Sequence, residues 1–198
     1  MSLMLMATGV VLGLLAWTLV EYLLHRLGGH WGKGRHEFAR EHRRHHREPS
    51  YFSPASKKLK AAGPVLGVAW LAAFPVLGPW GATGFAVGVG VGWWIFETVH
   101  EMLHVRAPRT VYGRWARRHH LYHHFGDARV NHGVTSPFWD WVFRTYAAPT
   151  VVRIPGKLAG EFPWLVNERG IIDDYSRDYE VRVSPGRAGQ QRNLCSTP

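Results

Sequence analysis

The stretch AAGPVLGVAWLAAFPVLGPWGATGFAVGVGVGWWIF, residues 61–96, contains no Asp, Glu, Lys or Arg in 36 positions. One helical crossing of a bilayer needs about 20 apolar residues, so this run is long enough for two short crossings. Pro75, Gly78, Pro79 and Gly81 fall near its middle, where a break between helices is expected. A second uncharged run covers residues 1–20. It lacks the basic start and small-residue cleavage site of a secretory signal and is read as a retained helix. Together the two runs predict three spans, roughly 3–24, 62–79 and 82–99. A buried hairpin in a soluble domain is the competing reading of 61–96, and the length of the run argues against it. Gly84, Gly88 and Gly92 recur every four residues, a small-residue face suited to close helix packing in lipid.

The charges lie outside these runs. The net charge is +10, and all 24 Lys and Arg fall in two blocks, 26–60 and 106–192. An odd number of crossings puts both blocks on one side of the membrane, and the positive-inside asymmetry makes that side cytosolic. The basic face would also attract anionic headgroups. Binding to nucleic acid is not expected, because no aromatic-basic recognition motif accompanies the charge. The lone cysteine, Cys195, excludes an intrachain disulfide or thiolate cluster. It lies in a polar tail, 184–198, that reads as disordered.

Ten of the thirteen histidines form four clusters. They are His25 with His30; His42, His45 and His46; His100 with His104; and His120, His123 and His124. Three crossings gather all four at one membrane face. Positions i, i+3 and i+4 share a helix face, so each of the last three clusters can aim its rings at one point. His25 and His30 are about 140° apart on an α-helix. Gly28 and Gly29 between them suggest that His25 caps the first span and His30 returns from a loop. Imidazole suits iron, zinc and copper, and ten rings exceed the needs of one four-coordinate zinc. A two-metal centre is the economical reading. Glu97, near the boundary, reads as a solvated end residue or an orienting partner for a ligand.

Residues 131–145 (NHGVTSPFWDWVFRT) read as a turn followed by a helix, with Ser136 as N-cap, Pro137 in the first helical position and Asp140 favouring the N-terminus. Its aromatic residues, Trp141 among them, suit an interfacial anchor or the wall of a lipid-sized pocket.

Four strings, Glu21–His30 (EYLLHRLGGH), His42–Pro49 (HRRHHREP), His100–His104 (HEMLH) and His120–Thr145 (HLYHHFGDARVNHGVTSPFWDWVFRT), give the chain its resemblance to the fatty acid hydroxylase superfamily. This group of integral-membrane enzymes includes fatty acid 2-hydroxylases, sterol oxidases and carotenoid hydroxylases. The resemblance runs from about residue 17 to 146. It implies an all-α fold: an integral membrane helical bundle with a cytosolic helical cap carrying the histidines. The organisation expected is a hydroxylase domain over 1–146, a cytosolic extension over 147–183 and the tail.

What the resemblance implies chemically is a non-haem di-iron centre, in which zinc could replace iron on purification. With dioxygen and external reducing equivalents it would hydroxylate an unactivated C–H bond of a lipid. The ligands carried over are His25, His30, His42, His45, His46, His100, His104, His120, His123 and His124. Asp127 and Asp140 are candidates to orient ligating rings, and His132, where relatives carry an aromatic residue, is pocket wall or surface. Box three has three intervening residues, as in fatty acid 2-hydroxylases, whereas carotenoid hydroxylases have four; a fatty-acyl or sphingolipid-type substrate is therefore expected over a carotenoid or sterol. Relatives carry a helical pair before box one, and this chain has one span there. No haem-binding cytochrome domain is present in the sequence, so a separate donor is expected, either a small cytochrome b or a ferredoxin with its reductase.

Two rivals come from other classes. His100–Glu101–Met102–Leu103–His104 is a literal HExxH, the motif of zinc metalloproteases, with Glu101 as general base. It leaves eight clustered histidines unexplained. A metal transporter would place ionisable residues within the spans, and the uncharged runs hold none.

Overall fold

The computed structural model describes residues 1–168 and 170–182; the tail expected from 184 onward, with Cys195, lies outside the described residues. Two helices are long and apolar enough to cross a membrane, Ser2–Trp31 and Ala55–Val105. The first comprises α1 (Ser2–Leu23) and a π-helical segment, Leu24–Trp31, that continues it without a break. After α2 (Glu37–Arg47) comes α3 (Ala55–Val105), which is bent at Gly78. There φ is 63° and ψ is −177°, a conformation open to glycine and strained for any side chain. Pro79 follows, with no N–H to lose, and the chain reverses into two arms, 55–77 and 79–105. The break falls where the sequence placed it. The return arm, however, does not end near 99: it runs on to Val105 and carries His100 and His104 on its last turns.

The arms meet through side chains, and the Leu66 side chain packs on Gly90. Trp70 donates to Thr83 across the hairpin (3.1 Å). On the other side of the return arm lies α1, running parallel to it. A Cβ at Gly84 would strike the Met6 carbonyl, one at Gly88 the Val10 carbonyl, and one at Gly13 the Phe85 carbonyl. The small-residue face read from Gly84, Gly88 and Gly92 therefore meets α1, which answers with Gly9 and Gly13. The large apolar side chains turn the other way: Leu3, Val11, Leu15, Val68, Leu71 and Val76 are exposed. Apolar surface of that extent is foreign to soluble monomers.

Above the arms sits a roof built from α2, α4 (Val111–Phe125) and the short α5 (Phe138–Val142). His36 caps α2 by accepting from the Ala39 amide (3.3 Å), and Thr110 caps α4 by accepting from Gly113 (3.0 Å). In α5 the helix begins one residue later than expected, so Pro137 is the N-cap and Ser136 accepts from the Phe138 amide (3.2 Å).

The all-α expectation needs correction at the C-terminal end. Residues 150–182 form a small unit with four short strands. β1 (Val152–Pro155) pairs in parallel with β4 (Tyr179–Arg182), and β2 (Val166–Asn167) pairs antiparallel with β3 (Gly170–Ile171). Pro149, Pro155, Gly156 and Pro163 deny this stretch a helix. Val152 and Ile154 alternate inward with period two and are fully buried with Phe162, Leu165, Tyr179 and Leu121 of α4.

Candidate metal centre

All four histidine-bearing helical segments deliver their rings at a C-terminal end. His30 is in the last turn of the π-helix, His104 in that of α3, His45 and His46 in that of α2, and His123 and His124 in that of α4. The negative ends of four helix dipoles thus converge, which favours cations by roughly 0.3–1 kcal/mol each.

The ten clustered rings divide into two groups of five. His25, His30, His42, His46 and His123 form one; His45, His100, His104, His120 and His124 form the other. Within each group the available ring nitrogens all lie within 4.8 Å of one another. The groups touch where His46 stacks on His124, with ring centroids 4.1 Å apart. The sequence expectation that each cluster aims at one point is therefore wrong for two of them. In α2 the i, i+4 pair His42 and His46 joins the first group and His45 the second; in α4 the pair His120 and His124 joins the second and His123 the first. Residues four apart lie almost in line on a helix, while the residue at i+3 falls to the other side of that line. Each H-x2-H-H box consequently serves both groups.

His25 and His30 are brought together by a device the sequence did not reveal. The π-helix, whose hydrogen bonds run i to i+5, stacks residues five apart, and the two rings lie 5.4 Å apart by centroid. No loop intervenes, contrary to expectation. Gly29 lets α2 approach, since a Cβ there would lie 2.6 Å from the His42 ring.

The protonation of the rings suits metal. His25, His45 and His123 bond through Nδ1 to the carbonyls of His132 (2.5 Å), Tyr51 (2.8 Å) and Val130 (2.6 Å). A carbonyl accepts only, so Nδ1 carries the proton and the Nε2 lone pair faces inward. His30 Nε2 lies 2.9 Å from His123 Nε2 and 3.0 Å from His42 Nε2. One proton on His30 cannot bridge both. In the second group, His104 and His120 bring their Nε2 atoms within 2.9 Å. Buried Nε2 atoms of His25, His45, His46 and His100, and both nitrogens of His124, have no hydrogen-bond partner. Such groups are costly unless something binds them, and a divalent transition metal in each group would. Burial, reinforced by neighbouring imidazoles, pushes His42, His46, His120, His123 and His124 well below the ordinary imidazole value. Burial, with the nearby Lys58 ammonium, takes His45 down to about 4. These rings are neutral at physiological pH, the state a ligand requires.

Two buried carboxylates hold the loop that supplies the Val130 and His132 carbonyls. Glu21 accepts from the Val134 amide (2.6 Å), the Thr135 amide (2.8 Å) and the Thr135 hydroxyl (2.6 Å). Asp140 accepts from the amides of His132 and Gly133 and from the Thr145 hydroxyl, each at 2.8 Å, with His119 3.4 Å away. Asp140 thus orients His25 through the backbone of His132 rather than through a ring. His132 is buried against His25 and His123 but belongs to neither group of five. One expectation fails, and one of two readings of Trp141 gives way to the other. Asp127 turns outward to pair with Arg129 (2.9 Å) instead of a ligand, and Trp141 is half exposed against Tyr146. Exposed Phe138 and Trp141 suit the anchor role of α5, which is pinned to α1 by Trp139 donating to Thr18 (2.9 Å). Glu97 pairs with Lys58 and is not a partner of any ring. Glu101, the would-be protease base, is exposed over a shallow depression with Trp94, Met102 and Arg106, away from the imidazoles. Glu21 was not singled out in the sequence; its place one turn before His25 was the available signal.

A cavity of about 660 Å³ opens onto both groups. His25 and His42 of the first and His45 and His100 of the second form its inner end. From there it runs as an apolar groove between α1 and the outgoing arm, over the face of the return arm, lined by Trp17, Val65, Leu66, Val89, Trp93 and Phe96. Polar residues of the cavity, among them Glu41, Tyr51, Ser53, Lys57, Lys58 and Glu97, lie at the histidine end. Glu41 accepts from the hydroxyls of Tyr51 (2.6 Å) and Ser53 (2.7 Å), which hold its carboxyl down at about 2.

Comparison with known proteins places these features in context. A family profile described as fatty acid hydroxylase matches residues 10–145. The ceramide very long chain fatty acid hydroxylase of Saccharomyces cerevisiae is 34% identical over 152 residues, covering 69% of this chain and 37% of the yeast protein. A dihydroceramide fatty acyl 2-hydroxylase of Arabidopsis thaliana is 30% identical over 147 residues, covering 69% of this chain and 59% of that protein. A solved structure of full-length scs7p, with only the hydroxylase domain visible, superposes with a TM-score of 0.57 at 31% identity, covering 74% of this chain and 58% of that one. The chain therefore spans roughly four- to six-tenths of the length of these relatives.

Proposed function

The chain belongs to the fatty acid hydroxylase family, and we propose that it is a membrane-embedded, dioxygen-dependent lipid hydroxylase whose two groups of five histidines hold a pair of iron ions. When bound, those ions would supply activation of dioxygen and insertion of one oxygen atom into a C–H bond, with electrons delivered by a separate redox protein. The chain's own residues do the rest. Ten neutral imidazoles hold the ions without cancelling their charge, backbone carbonyls fix the tautomers of three of them, and Glu21 and Asp140 hold the loop that carries two of those carbonyls, Val130 and His132.

The observation that carries the reading is the polarity of the cavity. Its apolar groove lies between the membrane-length helices, and its polar residues sit at the same end as the imidazoles. An acyl chain lying in the groove presents the carbons next to its polar headgroup to the metal pair, and its distal methylenes run down toward Val89 and Leu66. Hydroxylation close to the headgroup is the expected outcome, on a fatty-acyl or sphingolipid-type substrate such as those named for the relatives. In this reading α1 and the two arms of α3 make three passes, and the positive-inside asymmetry places the histidine roof and the extension 147–182 in the cytosol.

Lipid mass spectrometry of cells with and without the protein tests the reading. A lipid series heavier by one oxygen atom, carrying the hydroxyl near the headgroup and absent with His123→Ala, is expected. Loss of no lipid product with His123→Ala would refute the assignment.

A further inference from the structure

Resting on the dimetal reading above, we propose that the C-terminal unit, residues 150–182, is a cover that locks the ion held by His45, His100, His104, His120 and His124, and that the ion of the other group is exchangeable. The unit lies outside the span of the family profile, 10–145. Its contacts are one-sided. Trp164 donates its indole N–H to the His104 carbonyl (2.6 Å), and Phe162, fully buried, stacks over the His104 ring (centroids 6.1 Å). Glu161 accepts from the amide (3.0 Å) and hydroxyl (2.9 Å) of Ser50, next to the Tyr51 carbonyl that orients His45. Asp178 pairs with Arg114 (2.6 Å) and Arg118 (3.0 Å), fastening the unit along α4 upstream of His120 and His124.

The supports of the two groups differ as well. Every histidine of the covered group stands on a regular α-helix, and four of the five form i, i+4 pairs. A lost ligand there is held close enough to rebind. The other group takes two of its five rings from the eight-residue π-helix, which contains Gly28 and Gly29, and three of its rings (His30, His42 and His46) are half buried, against two (His100 and His124) in the covered group. Opening that turn releases two ligands together without disturbing a long helix.

The test uses the full chain in detergent, loaded with zinc and challenged with excess chelator, with metal counted by mass spectrometry. Two phases of one ion each are expected. Hydrogen exchange over residues 24–31 should rise with the fast phase. His30→Ala should abolish the fast phase and keep the slow one. Trp164→Phe, which keeps the ring and removes the donor, should speed the slow phase alone by about 10-fold; Asp178→Asn, which leaves the core of the unit intact, should do the same to a lesser degree. Two ions leaving in one phase, or an equal effect of Trp164→Phe and Asp178→Asn on both phases, overturns the proposal and leaves the dimetal reading standing. A wild-type chain that binds one ion or none overturns the dimetal reading, and the proposal with it.

Discussion

The two halves of this molecule are held together by opposite means. In the lower half, α1 meets the return arm of α3 through Gly9, Gly13, Gly84 and Gly88, and what specifies the contact is the lack of side chains. In the roof, polar side chains do the specifying: ten imidazoles, two buried carboxylates and a buried Arg117 that donates to the carbonyls of Met102, Arg106 and Gly113. The difference teaches where each half is vulnerable. Added volume harms the first; a missing polar partner harms the second.

The hardest blow to the roof is His123→Ala. It removes a ring from the first group and an Nδ1 partner from Val130, so hydroxylation should fall to background and metal content should drop by at least one ion per chain, read by product analysis and metal counting. Glu21→Ala strands the buried Val134 amide, at a cost of about 1–3 kcal/mol, and the part-buried Thr135 amide beside it. A clear fall in thermal midpoint is expected, with the spectroscopic signature of the metal site altered through His25. Gly88→Ala probes the other half. Its methyl would meet the Val10 carbonyl, and the overpacking should cost about 1–3 kcal/mol while ion stoichiometry stays at wild type. A Gly88→Ala protein that lost metal before it lost stability would abolish the distinction between the halves.

Acid separates them too. Burial takes His45 and His132 down to about 4, below the unfolded value near 6.5. The unfolded chain therefore binds more protons between these values, so the contribution is complete above about pH 6.5 and is lost as pH falls through about 4. Bound ions compete with the same protons in the same direction. Metal release and destabilisation on going from about pH 7 to pH 4 should precede any loss of helicity in α1 and α3. The smallest effect belongs to Trp141→Phe, at an exposed ring, which should change stability by no more than about 0.5 kcal/mol.

The lower half was easy to read from sequence because it is written in composition: an uncharged run, a proline-glycine break at 75–81, and glycines every four residues. The roof was legible only residue by residue. Spacing put His42 with His46 and His120 with His124, but it could not say that His45 and His123 cross to opposite groups, since that depends on which neighbours stand on each side of the helix. The pairing of His25 with His30 was hidden for a different reason, because a π-helical turn has no composition of its own. Asp127 and Asp140 look alike as acids near box four, and only the fold of residues 130–145 decides that one is buried beneath His132 and the other faces solvent with Arg129.

The reversal at Gly78 has a further consequence. Because the outgoing and return arms join through a single glycine with no connecting loop, the hairpin tip offers almost nothing for another molecule to grasp. The start of α1 stands at the same pole, since Leu5 and Met6 lie beside Gly81 and Gly84, but no Asp, Glu, Lys or Arg falls in residues 1–20 or 61–96, so recognition by charge is confined to the opposite face.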